Sequence, residues 1–361
     1  MIPLVKVAMP PKDLLMPALE ETLYSGMIAE GEVVYRFEAA FADKFKLPNA
    51  LSMSSGTAAL HTSLVLAGVR PGDEVISTPM TAEPTNLAIL HSGASPVWAD
   101  VSPLDGTIDP QSVRDRITSR TRAIMVVHYA GYPARMDEIM AISEEKGVPV
   151  IEDCAHALGA SYDGLSVGSI GDYGIFSFQA IKHMTTVDGG ALVLKDAGKV
   201  PDAKKFRWFG MLKGVSRTEV DITAVGYKYN MTNVGATLGL SQLSSIESLI
   251  SRHVENGRYY DAEVARIPGF SPARFDPKAR PTYWLYTLLC DDAGGAARAL
   301  ESVGVMASKL HKPNNLHSIF RSSSRDLPGL ASFYDRLLHI PCGWWVDDET
   351  RQRIVETLHK G

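Results

Sequence analysis

The residues best placed to do chemistry lie in the stretch 150–190, VIEDCAHALGASYDGLSVGSIGDYGIFSFQAIKHMTTVDGG. An apolar run from Val148 to Ile151 ends in Glu152 and Asp153, the pattern of a buried parallel strand that delivers a carboxylate at its C-terminal end. A second apolar run, Gly174 to Phe178, follows a Gly-rich connection, and Lys182 comes next in a segment rich in Thr and Gly. Both groups can therefore sit at the carboxyl edge of one sheet, where open α/β sheets bind their ligands. A lysine amine forms a Schiff base with an aldehyde. Pyridoxal 5'-phosphate carries such an aldehyde, and a carboxylate can hold its pyridine nitrogen protonated so that the ring draws electrons from a substrate carbon. The plainer reading is that Asp153 caps a turn and Lys182 is a solvated loop residue. For a lone pair of residues the plainer reading is the better one, so the rest of the chain must decide.

A phosphate-bearing cofactor needs an anion site, and residues 50–68, ALSMSSGTAALHTSLVLAG, offer one. They read as a short strand, a small polar turn and a helix. Ser54, Ser55, Gly56 and Thr57 put hydroxyls and backbone N–H groups at the helix N-terminus, where the first N–H groups have no partner within the helix. An ordinary Ser/Thr cap accounts for this turn equally well.

The elements that must position these residues alternate. Strands are expected at Glu74–Ser77, Pro96–Ala99, Arg122–His128 and Ala191–Lys195, and helices at Thr85–Ser92, after Asp109-Pro110, and at Arg135–Lys146. Repeated βα units of this length predict an α/β fold whose large domain is a mostly parallel sheet covered by helices. No GxGxxG follows a strand, so a dinucleotide fold is not indicated. Residues 11–24 predict a helix with Leu14, Leu15, Ala18, Leu19, Thr22 and Leu23 on one packed face, and a second helix starts near Glu32. A long amphipathic helix from Ser244 leads into a smaller C-terminal α/β lobe. That lobe is expected to hold a strand at Val305–Leu310 and a loop over 311–330. The expected division is 1–245 for the large domain and 246–361 for the linking helix and small domain.

The chain has 361 residues, 45% of them apolar and 21% charged, as in a globular protein with ample core. A formal charge of −5 supplies no basic field, so nucleic acid is not an expected partner. No apolar run reaches membrane-spanning length, and the opening MIPLVKVAMPPKD lacks the plan of a signal peptide. The three cysteines stand far apart with no metal-ligand spacing, so no metal is expected and the expected location is the cytoplasm.

Six stretches in one order, SSGTAALH, GDEVISTP, HYAGYPARMDEI, VIEDCAHALGA, FSFQAIKHMTTVDGG and GYKYNMTNVGATLGLSQL, resemble the DegT/DnrJ/EryC1/StrS family of sugar aminotransferases, pyridoxal-phosphate enzymes of fold type I. The resemblance runs from SGMIAEGEVVYRFE to the small lobe. It implies that Lys182 is the Schiff-base lysine and Asp153 the pyridine-nitrogen partner. It also implies that His156 contacts the cofactor ring, and that Ser55, Gly56, Thr57 and Ser177 hold the phosphate. The GYKY segment matches a loop that a neighbouring subunit inserts toward the phosphate, which implies a homodimer with shared active sites. Three positions depart from the family pattern. Lys228 stands where Asn is usual, Asn230 where Arg is frequent, and Ala82 where an aromatic often covers the cofactor ring. Relatives with His at the lysine position run a dehydration, whereas here His183 follows the lysine. The implied reaction is transfer of an amino group from an amino acid, L-glutamate by expectation, to a keto group of a nucleotide-linked deoxysugar. A keto-cyclitol or dehydratase chemistry and a non-catalytic regulator are the alternatives. Candidates for substrate contact are His183, Asn230 and His311, with Arg207, Trp208, Lys213 and Lys312 in two polar segments.

Overall fold

The computed structural model describes residues 1–323 and 326–360. In chain order the first strands are β1 (Ala50–Met53), β2 (Glu74–Ser77), β3 (Ser95–Trp98), β4 (Thr121–Val127) and β5 (Val150–Asp153). The short pair β6 (Ser161–Tyr162) and β7 (Leu165–Ser166) follows, then β8 (Tyr173–Ser177) and β9 (Gly190–Leu194). Seven of these form one sheet in the order β1-β9-β8-β5-β4-β2-β3. The pairs β2–β3, β2–β4, β4–β5 and β5–β8 are parallel, while β9 is antiparallel to both β8 and β1. Six strands thus run one way and β9 alone runs back, as the predicted mostly parallel sheet requires. Helices cover both faces, which is why the β4 sequence TRAIMVV is a nearly unbroken apolar run.

On one face the helix Glu32–Phe45 buries Phe37 and Phe41. Phe41 meets Phe176 and Phe178 edge-on at 5.4 and 5.3 Å. Truncating Phe41 to Ala removes this packing at a cost of about 3–5 kcal/mol. The helix thereby anchors β8 and the segment after it, the part of the chain that leads to Lys182. The first helix, Lys12–Tyr24, forms as predicted but buries only Leu15 and Thr22, while Leu14 and Leu23 stay exposed. It packs on the helix Asn233–Leu243, with Thr22 Oγ1 2.8 Å from Thr237 Oγ1, and Ala18 and Leu19 are half-buried while Leu14, Met16 and Leu23 stay exposed.

The C-terminal lobe adds β10 (Phe270–Pro272), β11 (Ala279–Arg280), β12 (Tyr286–Cys290) and β13 (Leu337–Ile340). An antiparallel sheet β10-β12-β13 is its centre, while β11 pairs with β6. The lobe is reached through the helix Ile246–Val264. Its core is continuous with that of the large sheet: Trp98, Val127 and Tyr129 share one cluster with Leu288, Phe333 and Ile340. Two expectations fail here. Residues 305–310 make only isolated bridges, Val305 with Ile2 and Ser308 with His339 at the outer edge of β13, and form no strand. Residues 328–330 begin a helix, Pro328–Arg336, rather than ending a loop. Its first N–H groups are capped from a distance by Asp100, whose carboxylate accepts from Gly329 and Leu330 at 2.8 and 2.7 Å. With the cap supplied from far along the sequence, Pro328 at the first helical position is the local start signal that remains.

Candidate active site

Asp153 ends β5, in register between Val127 of β4 and Ile175 of β8. Strand alternation separates it from its acidic neighbour. Glu152 points the other way and is consumed by structure, accepting from the Gly168, Ile170 and Gly171 N–H groups at 2.7–2.9 Å. His128 completes that set. Its Nδ1 accepts from the Ala134 N–H at 3.1 Å, so its Nε2 donates to Glu152 at 3.0 Å. Asp153 accepts instead from the Thr85 hydroxyl at 2.8 Å and the Ala155 N–H at 3.1 Å. The Thr81 hydroxyl stands 2.9 Å behind Thr85. Burial pushes the Asp153 carboxyl up, and those two hydrogen bonds with the Lys182 and His128 charges pull it back.

Lys182 lies in the connection after β8, its N–H donating to the Gln179 carbonyl at 2.9 Å. Its amine is buried, and burial brings it down to about 8, with the Asp153 charge opposing the fall. Among the described residues no ion pair joins Lys182 to Asp153. Both instead line one cavity of about 350 Å³. Ser55, Gly56, Thr57, His156, Ser177 and His311 line the same cavity. The amine and the acid are therefore on one side of the sheet with space between them.

The phosphate turn is built as the sequence suggests. Ser55 caps the helix Gly56–Leu66, its Oγ accepting from the Ala58 N–H at 3.0 Å. Two glycines bring the turn against the strand ends. A Cβ on Gly56 would stand 3.0 Å from the Ser177 Cβ, and one on Gly190 would stand 2.6 Å from the Gly56 nitrogen. Ser177, at the end of β8, thus joins the turn without any sequence proximity.

His156 and His311 lie with parallel rings 5.8 Å apart. Nδ1 of His156 and Nε2 of His311 are buried without a partner. Burial and the nearby Lys182 charge hold both imidazoles below their usual range, His311 down to about 4, so both are neutral. Two orphaned polar atoms facing a cavity with an amine, a carboxylate and a helix N-terminus fit a polar, phosphate-bearing ring. Ala82 lines this cavity as the sequence led one to expect, and among the described lining residues the only aromatic rings are the two imidazoles.

Other expected residues lie elsewhere. His183 is turned away from the cavity, with Nε2 3.3 Å from the Thr282 carbonyl and the ring edge-on to His253 at 4.6 Å. The bend at residues 182–184 carries the two neighbours to different surroundings. Lys228 and Asn230 do not line the cavity of their own chain. Lys228 donates to Asn230 Oδ1 at 2.8 Å and sits 4.1 Å over the Trp208 ring, and the Tyr229 carbonyl between them accepts from the Ser54 N–H at 2.6 Å. Arg207 is no surface guide for anions: it is 2% exposed and pairs with Glu38 at 2.6 Å and Glu30 at 3.1 Å. Lys213 is engaged with the Glu30 carbonyl, and Lys312 is exposed. Sequence reasoning missed Thr85 and Trp284. Thr85 sits two residues into a helix and Trp284 in the aromatic and aliphatic run TYWLYTLLC, so neither carries a signal that a single sequence reveals.

Comparison with known proteins places this geometry. The sequence profile of the DegT/DnrJ/EryC1/StrS aminotransferase family matches residues 12–359. The sugar aminotransferase CalS13 of Micromonospora echinospora is 36% identical and superposes over all of both chains with a TM-score of 0.96. AtS13 of Actinomadura melliaura is 37% identical, covering 100% of this chain and 99% of its own, also at 0.96. The spore coat polysaccharide biosynthesis protein SpsC of Bacillus subtilis is 31% identical over 94% of this chain and 92% of its own. The chain belongs to the DegT/DnrJ/EryC1/StrS aminotransferase family and is a pyridoxal-phosphate-dependent aminotransferase of fold type I.

Proposed function

We propose that this enzyme moves an amino group from an amino acid, L-glutamate in the first instance, to a keto group on a nucleotide-linked deoxysugar for the building of polysaccharides or glycosides. The observation that carries this reading is the shared cavity of Lys182 and Asp153, with the Ser55–Thr57 turn at its wall. When bound, the cofactor supplies the aldehyde that takes up the amino group and the ring that withdraws electrons. Ser55, Gly56, Thr57 and Ser177 would hold its phosphate, Asp153 its ring nitrogen, and His156 its ring face or edge. Lys182 has an amine brought down to about 8, so near neutral pH its Nζ can both accept and return a proton. His311, which lines the same cavity, would meet the sugar.

The same reading makes the enzyme a homodimer. The first helix leaves Leu14, Met16 and Leu23 exposed, and the segment before the GYKY loop leaves Val215, Ile222 and Val225 exposed. Apolar area of this kind on a chain of this size suits a self-complementary contact. Lys228 and Asn230 would then serve the partner's phosphate and substrate. Among the described residues no helix is long and apolar enough to cross a membrane, and three buried free cysteines suit a reducing compartment such as the cytoplasm.

The test is product analysis with glutamate and a panel of nucleotide-linked keto sugars. Oxoglutarate should appear in equal amount with an amino sugar, and Lys182→Ala should lose turnover at least a thousand-fold, on the order expected when an enzyme's own acid–base group is removed, while the fold survives. A deoxygenated sugar formed without oxoglutarate, or a Lys182→Ala enzyme with more than a few per cent activity, would overturn the assignment.

A further inference from the structure

The lysine and the histidine of the cavity meet a common surface that neither the motifs nor the family assignment draws attention to. The Lys182 amine lies 4.1 Å from the centre of the Trp284 ring. The His156 imidazole is stacked on the same indole, with centroids 4.0 Å apart and planes 17° from parallel. The indole has little freedom of its own. It is 2% exposed, and its Nε1–H donates to the carbonyl of Ile181, the residue before Lys182, at 2.9 Å. The backbone that carries it is clamped to the turn after β4. The Thr282 N–H donates to the Gly131 carbonyl at 3.1 Å and the Leu285 N–H to the Ala130 carbonyl at 3.3 Å. A Cβ on Gly131 would stand 2.7 Å from the Trp284 nitrogen, so the approach is as close as glycine permits.

We propose that Trp284 is a positioning residue of this site, a fixed indole platform that orients the Lys182 amine and the His156 imidazole relative to each other. It does so in two ways. The hydrogen bond to Ile181 ties the platform to the very backbone that presents Lys182. The electron-rich face attracts the amine in its ammonium form, and more strongly because water is excluded. A flat aromatic neighbour also confines His156 to one plane rather than leaving it free to turn. Because the platform comes from the C-terminal lobe, the small lobe contributes to the chemistry of the large one through this side chain as well as through His311. The inference rests on Lys182 being the reactive amine.

The sign of the effect on Lys182 is fixed by these contacts. Burial lowers the amine and the indole face opposes that fall, so loss of the face should lower it further. The experiment uses the full-length chain freed of cofactor, acetylated with a trace of acetic anhydride across pH 6–10, with the Lys182 peptide quantified by mass spectrometry. Wild-type protein should give a midpoint near 8. Trp284→Phe keeps a weaker face and loses the hydrogen bond, and its midpoint should fall by about a third to half a unit. Trp284→Met keeps bulk without a face and should fall by about one unit, a tenfold change in the protonated-to-free ratio. Circular dichroism selects the variants that fold, and Trp284→Phe carries the test alone if Trp284→Met does not. An unmoved or raised midpoint in either folded variant overturns the role of Trp284. Reduction of the wild-type holoenzyme with borohydride, followed by a search for cofactor mass on the Lys182 peptide, tests the underlying reading separately. Failure there removes the lysine assignment whatever the variants do.

Discussion

The Thr85 hydroxyl and the Asp153 carboxylate stand 2.8 Å apart, with Thr81 behind Thr85, so the acid at the end of β5 is held by a helix that begins on the other side of the cavity. Burial raises this carboxyl, and the Thr85 bond, with that from the Ala155 N–H, opposes the rise. Thr85→Val keeps the shape and removes the donor. A hydrogen bond to a charged group contributes about 1.5–3 kcal/mol, so kcat/KM should fall roughly 10- to 100-fold. The acid limb of the pH–rate profile should move to higher pH, because Asp153 loses a group that lowers it. Thr85→Ser should restore most of both. A Thr85→Val enzyme with an unchanged acid limb would show that Asp153 is held ionised by something else.

Lys182 makes the stability of the cofactor-free enzyme depend on pH. Its amine is near 8 in the folded chain and near its usual 10.5 when unfolded, so the unfolded chain binds more protons between those values. Stability should therefore rise with pH through that window and be lowest below it, where folding must bury the charge or release the proton. The full span corresponds to on the order of 3 kcal/mol. Lys182→Met has no such group. The difference in urea midpoint between the two proteins, followed from pH 7 to 10.5, should shrink as pH rises. A constant difference would mean that the amine is not desolvated in solution.

Much of this site was legible because its two ends obey local rules. Asp153 sits where a parallel strand ends, and Ser55 where a helix begins, and both patterns are written within a few residues. What was not legible depends on long-range approach. Ser177 reaches the Ser55 turn only because glycines at 56 and 190 let three backbone segments close up. Arg207 looked like a surface cation because composition cannot show that Glu30 and Glu38 lie opposite it. The helix Pro328–Arg336 hid because its cap, Asp100, is more than two hundred residues away. His183 was drawn toward the site by adjacency to Lys182, although the bend that carries both turns its imidazole to the Thr282 carbonyl and His253.

Arg207 gives a direct contrast between a structural and a substrate role. Its guanidinium also donates to the Ser52 carbonyl at 2.7 Å, so it ties the segment around Glu30 and the helix holding Glu38 to the strand β1 that leads into the phosphate turn. Arg207→Met leaves the buried Glu30 with only Lys213 at 3.9 Å and takes the cation from the partly buried Glu38, a loss of about 3 kcal/mol at the low end of what a broken buried pair costs. The thermal midpoint should drop by roughly 4–7 °C for a chain this long, while KM for the sugar in the protein that remains folded stays within about two-fold. A large rise in KM with unchanged stability would return Arg207 to the substrate.

Gly190 tests whether the phosphate turn is shaped by the strand behind it. It opens β9, the reversed strand, and pairs with Met53 of β1 on one side and Ser177 of β8 on the other. An alanine methyl there would meet the Gly56 nitrogen at 2.6 Å and the Phe176 carbonyl oxygen at 2.7 Å, all backbone atoms that no rotamer change can move. Either β9 shifts or the turn does. Overpacking of this kind costs about 1–3 kcal/mol, and the displaced turn loses the inward aim of its N–H groups. Gly190→Ala should therefore weaken cofactor retention more than its loss of stability alone explains. Equilibrium dialysis of pyridoxal 5'-phosphate against the folded variant measures this, with pyridoxal lacking the phosphate as the control. Pyridoxal should be affected little and the phosphate ester at least ten-fold, a difference of about 1.4 kcal/mol. Equal losses for both ligands would mean that the Ser55–Thr57 turn is not where the phosphate sits.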